Sequence, residues 1–168
     1  AITIQVQNVA DLISGVAVDG YVAGATVFQD LNNDGDLDSG EPSATTNSLG
    51  SFSLNLSSVN INAPVRIYNG FDLASNEIHP SIMDISVSET GSYIVTPIST
   101  LVGRLKIEDT SLSSMVPQSM IAGALGISLA DSPNDSILGF DPIAYFNGSD
   151  VTLASEARPV FAASQLLM

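Results

Sequence analysis

The chain has 168 residues, of which 45% are hydrophobic and 13% charged, a composition that supplies a core and excludes disorder throughout. Four Lys and Arg residues stand against 18 Asp and Glu, and the net charge of −14 would repel nucleic acid and anionic membrane surfaces. The chain lacks cysteine, which excludes disulfides and thiolate metal sites. No apolar run approaches the length of a membrane span. We therefore expect cations as partners, no nucleic-acid binding and no membrane insertion.

The opening segment AITIQVQ, Ala1–Gln7, alternates apolar and polar residues and predicts a strand whose apolar face is formed by Ile2, Ile4 and Val6. Such a strand can pair within its own sheet or add to the sheet edge of a neighbouring subunit. We favour pairing within the chain because sequential strands usually lie near each other. The absence of a basic, apolar leader before this segment is expected of a mature or excised piece.

Short alternating or β-branched runs continue to residue 95, separated by Gly, Asn, Asp and Ser. In GSFSLNL, for example, Phe52, Leu54 and Leu56 share one face. Runs of this length and spacing are typical of an antiparallel sandwich or barrel. The sequence therefore predicts an N-terminal antiparallel β-sandwich over residues 1–95, with strands in ISGVAVDGYVAGATVF, GSFSLNL, APVRIYNG, IMDISVS and SYIVT.

Between two of these runs lies DLNNDGDLDSGE, residues 30–41, which holds five of the chain's 18 carboxylates. Oxygen-bearing side chains at loop positions 1, 3, 5, 9 and 12, with glycine at position 6, give the ligand spacing of an EF-hand-type calcium loop. The residues at these positions are Asp30, Asn32, Asp34, Asp38, Glu41 and, for the glycine, Gly35. Strand-like runs flank the loop, so we expect a Ca²⁺ site between strands. A metal-free polar turn is the simpler alternative, and the ligand register favours calcium over it.

After residue 95 the pattern becomes helical. A Thr-Pro pair at 96–97 and an Asp-Pro pair at 141–142 are signals for a helix N-cap and first turn. Gly126 can end a helix between them, and Pro159 should kink the last helix or begin a new turn. The sequence therefore predicts an α+β protein in which a helical segment, residues 96–168, packs on the sandwich or on a neighbour.

The sequence offers no recognisable catalytic site. His79, the single histidine, precedes Pro80 and is interpreted as a surface or turn residue rather than a ligand or general base. The nucleophile motifs Ser-x-x-Lys and Gly-x-Ser-x-Gly, the zinc motif His-Glu-x-x-His and phosphate-binding glycine loops are all missing. We therefore predict that the protein is not an enzyme, and a carbohydrate- or peptide-handling enzyme is the least favoured reading.

The stretch GVAVDGYVAGATVFQDLNNDGDLDSGEPSATTNSLGSFSL resembles the calcium-binding, prealbumin-like β-sandwich modules of large bacterial surface proteins, which are related to the B-repeats of cell-wall-anchored adhesins. The likeness covers residues 14–56 and is carried by the AGATVF run, the acidic loop and the following T-x-x-x-G-x-F-x-L pattern. Farther on, IVTPISTLV and FDPIAYF are similar to a helical continuation of this module in very large secreted adhesins of the repeats-in-toxin kind.

This resemblance implies a prealbumin- or immunoglobulin-like sandwich, export from the cell, and a role in adhesion or in an extended stalk. It also implies a ligand set for one Ca²⁺ ion. The set consists of the backbone carbonyl of Asp36 and five side chains, those of Asp30, Asn32, Asp34, Asp38 and Glu41.

The leading functional expectation is a non-enzymatic, calcium-stabilised structural or adhesive module of a secreted, cell-surface bacterial protein. Clustered carboxylates repel one another without metal, and bound Ca²⁺ converts that repulsion into a cross-link. Its expected partners are neighbouring modules and a cell-surface or matrix ligand. The alternative is a subunit of an extracellular filament or surface layer, assembled from identical subunits by strand addition through the N-terminal strand.

Overall fold

A computed structural model describes residues 11–56, 60, 63–79, 81–87, 89–109, 111, 113, 115–128 and 136–167, without the side chains of residues 152, 153 and 156. The strand predicted over Ala1–Gln7 lies outside these residues. Among the helices of the described part, none combines the length and the apolar character needed to cross a bilayer.

The first half of the described chain is made of short strands. In order they are β1 (Asp11–Ala17), β2 (Val22–Ala23), β3 (Thr26–Gln29), β4 (Ser43–Thr45), β5 (Ser51–Leu56), β6 (Val65–Tyr68), β7 (Phe71–Asp72), β8 (Glu77–Ile78), β9 (Met83–Ile85) and β10 (Gly91–Val95). They form one sheet of order β10-β1-β5, one of order β4-β3-β6-β9, and a small sheet of order β2-β7-β8.

The second half is helical, so the predicted α+β class is confirmed. The elements are α1 (Pro97–Glu108), α2 (Met115–Leu125), a 3₁₀ turn (Ile137–Gly139), α3 (Pro142–Phe146) and α4 (Val151–Leu166).

One strand pair contradicts the expectation of a purely antiparallel sandwich. β10 lies parallel to β1, with Ile13 opposite Gly91 and Ala17 opposite Val95, whereas the other described pairs are antiparallel. The alternation of side chains along a strand is the same in either direction, so the sequence pattern does not reveal this arrangement. β10 follows a connection from β9 in the other sheet, and a connection between sheets leaves the direction free.

The two larger sheets face each other across one hydrophobic core. Phe52, Leu54 and Leu56 of β5 are buried in it, as the alternation predicts. The same cluster contains residues of β1 and β10 from their own sheet, and of β3, β6 and β9 from the opposite sheet. Gly15 of β1 lies beneath the Phe52 ring, where an added Cβ would come within 2.9 Å of two ring atoms. A larger residue there would clash with the Tyr93 carbonyl as well as with the ring.

The predicted helix starts are confirmed by their capping bonds. Thr96 and Ser99 form a capping box in which each backbone N–H donates to the other's side-chain oxygen at 3.0 Å. Asp141 Oδ1 accepts from the N–H groups of Ile143 at 3.0 Å and Ala144 at 2.9 Å. These bonds satisfy N–H groups that have no partner within the helix.

The predicted end of α2 is also confirmed, because Gly126 has a φ of +71° and the N–H of Ile127 donates to the Ala122 carbonyl at 2.9 Å. No new helix begins at Pro159, because this residue lies in the interior of a single helix, α4.

The helical segment contacts the sheets of its own chain. Ser99 Oγ of α1 donates to the Asp84 carbonyl of β9 at 2.8 Å, and the Asp84 N–H donates to Thr100 Oγ1 at 2.8 Å. A second hydrophobic cluster lies among the helices and the 3₁₀ turn, and it includes Ile98, Ile121, Phe140 and Val160. The division of the chain into two domains at residue 95 stays a prediction.

Candidate metal centre

Loop 30–41 joins β3 to β4, which pair as antiparallel neighbours. Its neck is closed by a hydrogen bond from the Gln29 N–H to the Pro42 carbonyl at 3.0 Å. The Asp30 N–H donates to the Pro64 carbonyl at 3.0 Å, which attaches the start of the loop to the segment before β6. The loop therefore connects strands, as predicted, and both of its ends are fixed to the sheet.

Asp30, at loop position 1, is completely buried and organises the first half of the loop. Its Oδ1 accepts from the Asn33 N–H at 2.6 Å, and its Oδ2 accepts from the Gly35 N–H at 2.9 Å. Gly35 has a φ of +93°, a conformation that costs glycine little. The glycine at position 6 therefore allows the chain to turn around the Asp30 carboxylate.

Asn32 lies between two further predicted ligands. Its Nδ2 donates to Asp34 Oδ2 at 2.8 Å and to Asp38 Oδ2 at 2.9 Å, and its Oδ1 accepts from the Asp34 N–H at 3.2 Å. The three side chains are mostly exposed, yet they point towards one another. The structure thus brings loop positions 3, 5 and 9 together.

Glu41, at position 12, closes the loop with both carboxylate oxygens. Oε1 accepts from the Leu31 N–H at 2.6 Å, and Oε2 accepts from the Asp38 N–H at 3.0 Å. The carboxylate is therefore turned into the loop, where both of its oxygens accept backbone N–H groups. At position 7, the Asp36 N–H donates to Asp34 Oδ1 at 2.9 Å, and the Asp36 side chain is exposed.

Arg66 of β6 supplies a cation from outside the loop. Its Nε donates to Asp30 Oδ2 at 2.6 Å, and one Nη donates to Asn33 Oδ1 at 2.6 Å. The other Nη lies 3.6 Å from Asp84 Oδ2. The sequence gives no local signal for this role of Arg66, because Arg66 lies 36 residues from Asp30.

These donors fit a hard divalent cation in their chemistry but are not gathered around a common point. In the part of the chain that the structure describes, no group of three or more Asp, Glu or His side chains could hold a metal ion. The Asn32 amide nitrogen stands between the Asp34 and Asp38 carboxylates instead. A rotation of that amide by half a turn would place its oxygen beside the two carboxylates instead, since the nitrogen and oxygen ends are nearly equal in shape. The residues that could hold Ca²⁺ are Asp30, Asn32, Asp34, Asp36 by its carbonyl, Asp38 and Glu41.

A second carboxylate centre, which sequence reasoning missed, is the buried pair of Asp19 and His79. Their side chains are 0% and 1% exposed, with His79 Nε2 3.5 Å from Asp19 Oδ2. His79 Nδ1 lies 2.8 Å from the Ser81 carbonyl, and a carbonyl only accepts, so Nδ1 carries a proton. Neither Nε2 nor Asp19 Oδ2 has a hydrogen-bond partner among the described residues. The prediction that His79 is a surface or turn residue is wrong in its exposure, because tertiary packing covers the ring.

The Asp19–His79 pair is also linked to α4. Gln165 Nε2 donates to Asp19 Oδ1 at 2.9 Å and to the Asp19 carbonyl at 3.3 Å. Asp72, which is also fully buried, instead accepts from its own turn, from the N–H groups of Ala74 at 2.8 Å and Ser75 at 3.3 Å. Neither buried aspartate lies in loop 30–41.

Two titratable groups near these centres have displaced pKa values. Burial raises the pKa of the Asp84 carboxyl, and the charges of Arg66 and Arg104 oppose that rise. Burial also raises the pKa of Tyr21, helped by the negative charge of Asp141, whose Oδ2 accepts from the Tyr21 hydroxyl at 3.3 Å.

Comparisons of the chain with protein-family models, with curated proteins and with solved structures found no match.

Proposed function

We propose that this chain is a non-enzymatic, calcium-stabilised structural or adhesive module of an extracellular bacterial surface protein. The observation that carries the proposal is the organisation of loop 30–41. Four of the five predicted side-chain ligands, Asn32, Asp34, Asp38 and Glu41, belong to one hydrogen-bonded network. Asp30, the fifth, is buried at the base of the loop and accepts two of its backbone N–H groups.

Calcium would act on this loop by replacing repulsion with coordination. Asp34 and Asp38 both approach a single amide nitrogen, and their like charges favour separation. A Ca²⁺ ion accepts six to eight oxygen ligands in flexible geometry and would hold these groups together. Because the neck of the loop joins β3 and β4, the ion would also stiffen the edge of the sheet. Millimolar calcium outside cells fills even modest sites.

The finer fold type, the location and the partners belong to the same proposal. Two facing sheets with one shared core are compatible with a prealbumin- or immunoglobulin-like sandwich. The resemblance to surface-protein modules supports export, with neighbouring modules and a cell-surface or matrix ligand as partners. The net charge of −14 supports cations rather than nucleic acid as the ionic partners.

Thermal unfolding of the whole chain with and without calcium tests this function. A ligand at a hundredfold excess over its Kd stabilises the folded state by about 2.7 kcal/mol, which corresponds to a rise in Tm of roughly 5–10 °C for a chain of this size. Magnesium should raise Tm much less, because it prefers a small, hydrated octahedral site. Asp34→Ala should remove most of the calcium effect.

Glu108→Gln is the matched control, because it removes one exposed negative charge at the end of α1 and leaves the loop intact. It should respond to calcium as the unchanged protein does. A Tm that is indifferent both to added calcium and to prior removal of bound metal by denaturation in chelator would refute the proposal. Equal losses in the two variants would mean that calcium acts only through net charge.

A further inference from the structure

Arg66 occupies a junction between the acidic loop and the helical segment. It lies in the middle of the β4-β3-β6-β9 sheet, opposite Phe28 of β3 on one side and Asp84 of β9 on the other. Its side chain is 15% exposed. The chain contains only four Lys and Arg residues, and Arg66 is a half-buried one that lies beside the most acidic stretch.

The guanidinium group of Arg66 is divided between two carboxylates. On the loop side, Nε and one Nη donate to Asp30 and Asn33, both at 2.6 Å. On the other side, Asp84 Oδ2 is 3.6 Å away, which is attraction without a close hydrogen bond. Asp84 is bound to α1 through its backbone, by Thr100 Oγ1 and Ser99 Oγ at 2.8 Å each.

We propose that Arg66 is a resident counter-cation of loop 30–41, which Ca²⁺ displaces from Asp30 towards Asp84. Filling the loop then strengthens the contact between β6 and β9, the strand to which α1 is hydrogen-bonded. This inference rests on the proposed calcium function and adds a regulation to it. Arg66 lowers the calcium affinity of the loop, and Asp84 restores part of it by attracting the guanidinium.

Competition for Asp30 follows from charge and geometry. Ca²⁺ and a guanidinium group repel each other, and both are attracted to the same buried carboxylate. Asp30 keeps its orientation without Arg66, since the N–H groups of Asn33 and Gly35 bind its two oxygens. The loss of Arg66 therefore removes a competitor and leaves the ligand in place.

A cavity beside Arg66 leaves room for its guanidinium group to move. A cavity of about 260 Å³ adjoins Arg66 and is also lined by Asp84, Arg104 and Gly103. At Gly103, α1 passes close to the Asp84 carboxylate, because a Cβ added to this glycine would stand 3.3 Å from Asp84 Oδ1. A small rotation of Arg66 in this cavity can shorten its distance to Asp84.

The proposal predicts opposite effects for two neighbouring substitutions. Arg66→Gln removes the competitor, so calcium should bind more tightly, by about tenfold or more. Asp84→Asn removes the alternative partner, so Arg66 stays on Asp30 and calcium should bind more weakly, by about threefold or more. Asp84 is not a predicted ligand, and its amide variant keeps the side-chain shape.

Calorimetric titration of calcium into the whole chain measures these affinities. Lys106→Gln is the matched control, because Lys106 is an exposed cation of α1 outside this cavity. Its variant should change the affinity less than about twofold at an ionic strength where exposed charges are screened. If Arg66→Gln unfolds without metal, calcium-dependent folding of that variant gives the same comparison.

The outcomes separate this inference from the function beneath it. Calcium binding by the unchanged protein, with tighter binding in Arg66→Gln and weaker binding in Asp84→Asn, supports the inference. Equal changes in Arg66→Gln and Lys106→Gln, weaker binding in Arg66→Gln, or unchanged binding in Asp84→Asn would overturn it while the calcium function stands. No binding to the unchanged protein would overturn both.

A second readout follows the arginine itself. The Nε–H of Arg66 donates to Asp30, so its ¹⁵N-edited NMR signal should shift when calcium is added. In Asp84→Asn the shift at saturating calcium should be smaller, because the guanidinium has lost its second acceptor. An Arg66 signal that does not move between the metal-free and calcium-loaded protein would contradict the displacement.

Discussion

Loop 30–41 and the buried Asp19–His79 pair both hold carboxylates, and they surround them with different partners. In the loop, the partners are backbone N–H groups within twelve residues, the Asn32 amide and one arginine, and most of the carboxylates remain exposed. At Asp19 the partners are His79 and Gln165, the latter 146 residues away, and all of the carboxylate is buried.

On the proposed function, this difference separates a site that responds to ions from one that holds the fold together. Exposed carboxylates exchange their partners with solvent cations at little cost, so the proposed metal could be gained or lost while the sheets persist. A buried carboxylate that loses its partner has no solvent to replace it. Substitutions should therefore be costly at Asp19 and His79 and mild at the exposed carboxylates of the metal-free loop.

The largest effect is expected for His79→Ala. The imidazole is 1% exposed and faces an Asp19 oxygen that has no hydrogen-bond partner among the described residues. Its removal leaves a cavity beside the buried Asp19 carboxylate, at a cost of about 2–4 kcal/mol in the free energy of unfolding. Urea denaturation without calcium measures this loss.

Glu77→Ala is the control for His79, because Glu77 lies two residues earlier on the same hairpin and is exposed. It should change the free energy of unfolding by less than about 0.5 kcal/mol. A loss below about 1 kcal/mol in His79→Ala would show that the pair does not hold the fold and that the contrast with the loop is wrong.

A smaller effect is expected at Tyr21, a half-buried contact whose partner Asp141 is 120 residues away. Tyr21→Phe should cost about 1 kcal/mol at neutral pH through the lost hydrogen bond. Burial, then Asp141, raises the folded pKa of Tyr21 above 10.0, so in alkali the unfolded chain releases this proton first. Stability should therefore fall as pH rises from about 10 to the folded pKa.

Urea midpoints between about pH 8 and about pH 11 measure that slope. In Tyr21→Phe the alkaline fall should be shallower than in the unchanged protein. An identical slope in both proteins would show that Asp141 and burial do not act on this hydroxyl.

The smallest effect is expected for Asp38→Asn in the metal-free protein. Asp38 is exposed and shares the Asn32 amide with Asp34, so the amide variant relieves repulsion while losing one acceptor charge. The free energy of unfolding should change by less than about 0.5 kcal/mol. A loss as large as that of His79→Ala, measured by the same urea denaturation, would abolish the distinction between the two centres.

Local signals predicted the parts of this molecule that depend on local bonds. The caps at Thr96 and Asp141 act within three residues, so a hydroxyl or carboxylate before a proline was sufficient evidence. The turn at Gly35 and the alternation of β5 are likewise properties of a few consecutive residues. The inward turn of Glu41 could be anticipated from its position in the loop alone.

Long-range partners could not be predicted in this way. Arg66 lies 36 residues from Asp30, and Gln165 lies 146 residues from Asp19, so each contact depends on how whole sheets and helices pack. The burial of His79 has the same origin. The parallel pairing of β10 with β1 was hidden because side-chain alternation does not record strand direction.

That parallel pair has a mechanical consequence. β1 and β10 run side by side from Ile13 to Ala17 and from Gly91 to Val95. A pulling force applied before β1 and after β10 acts along the strands in opposite directions. It therefore loads all the hydrogen bonds between the two strands together, in shear, instead of peeling them apart one after another. Tension between the start of β1 and the end of β10 is thus resisted by all the hydrogen bonds between the two strands at once.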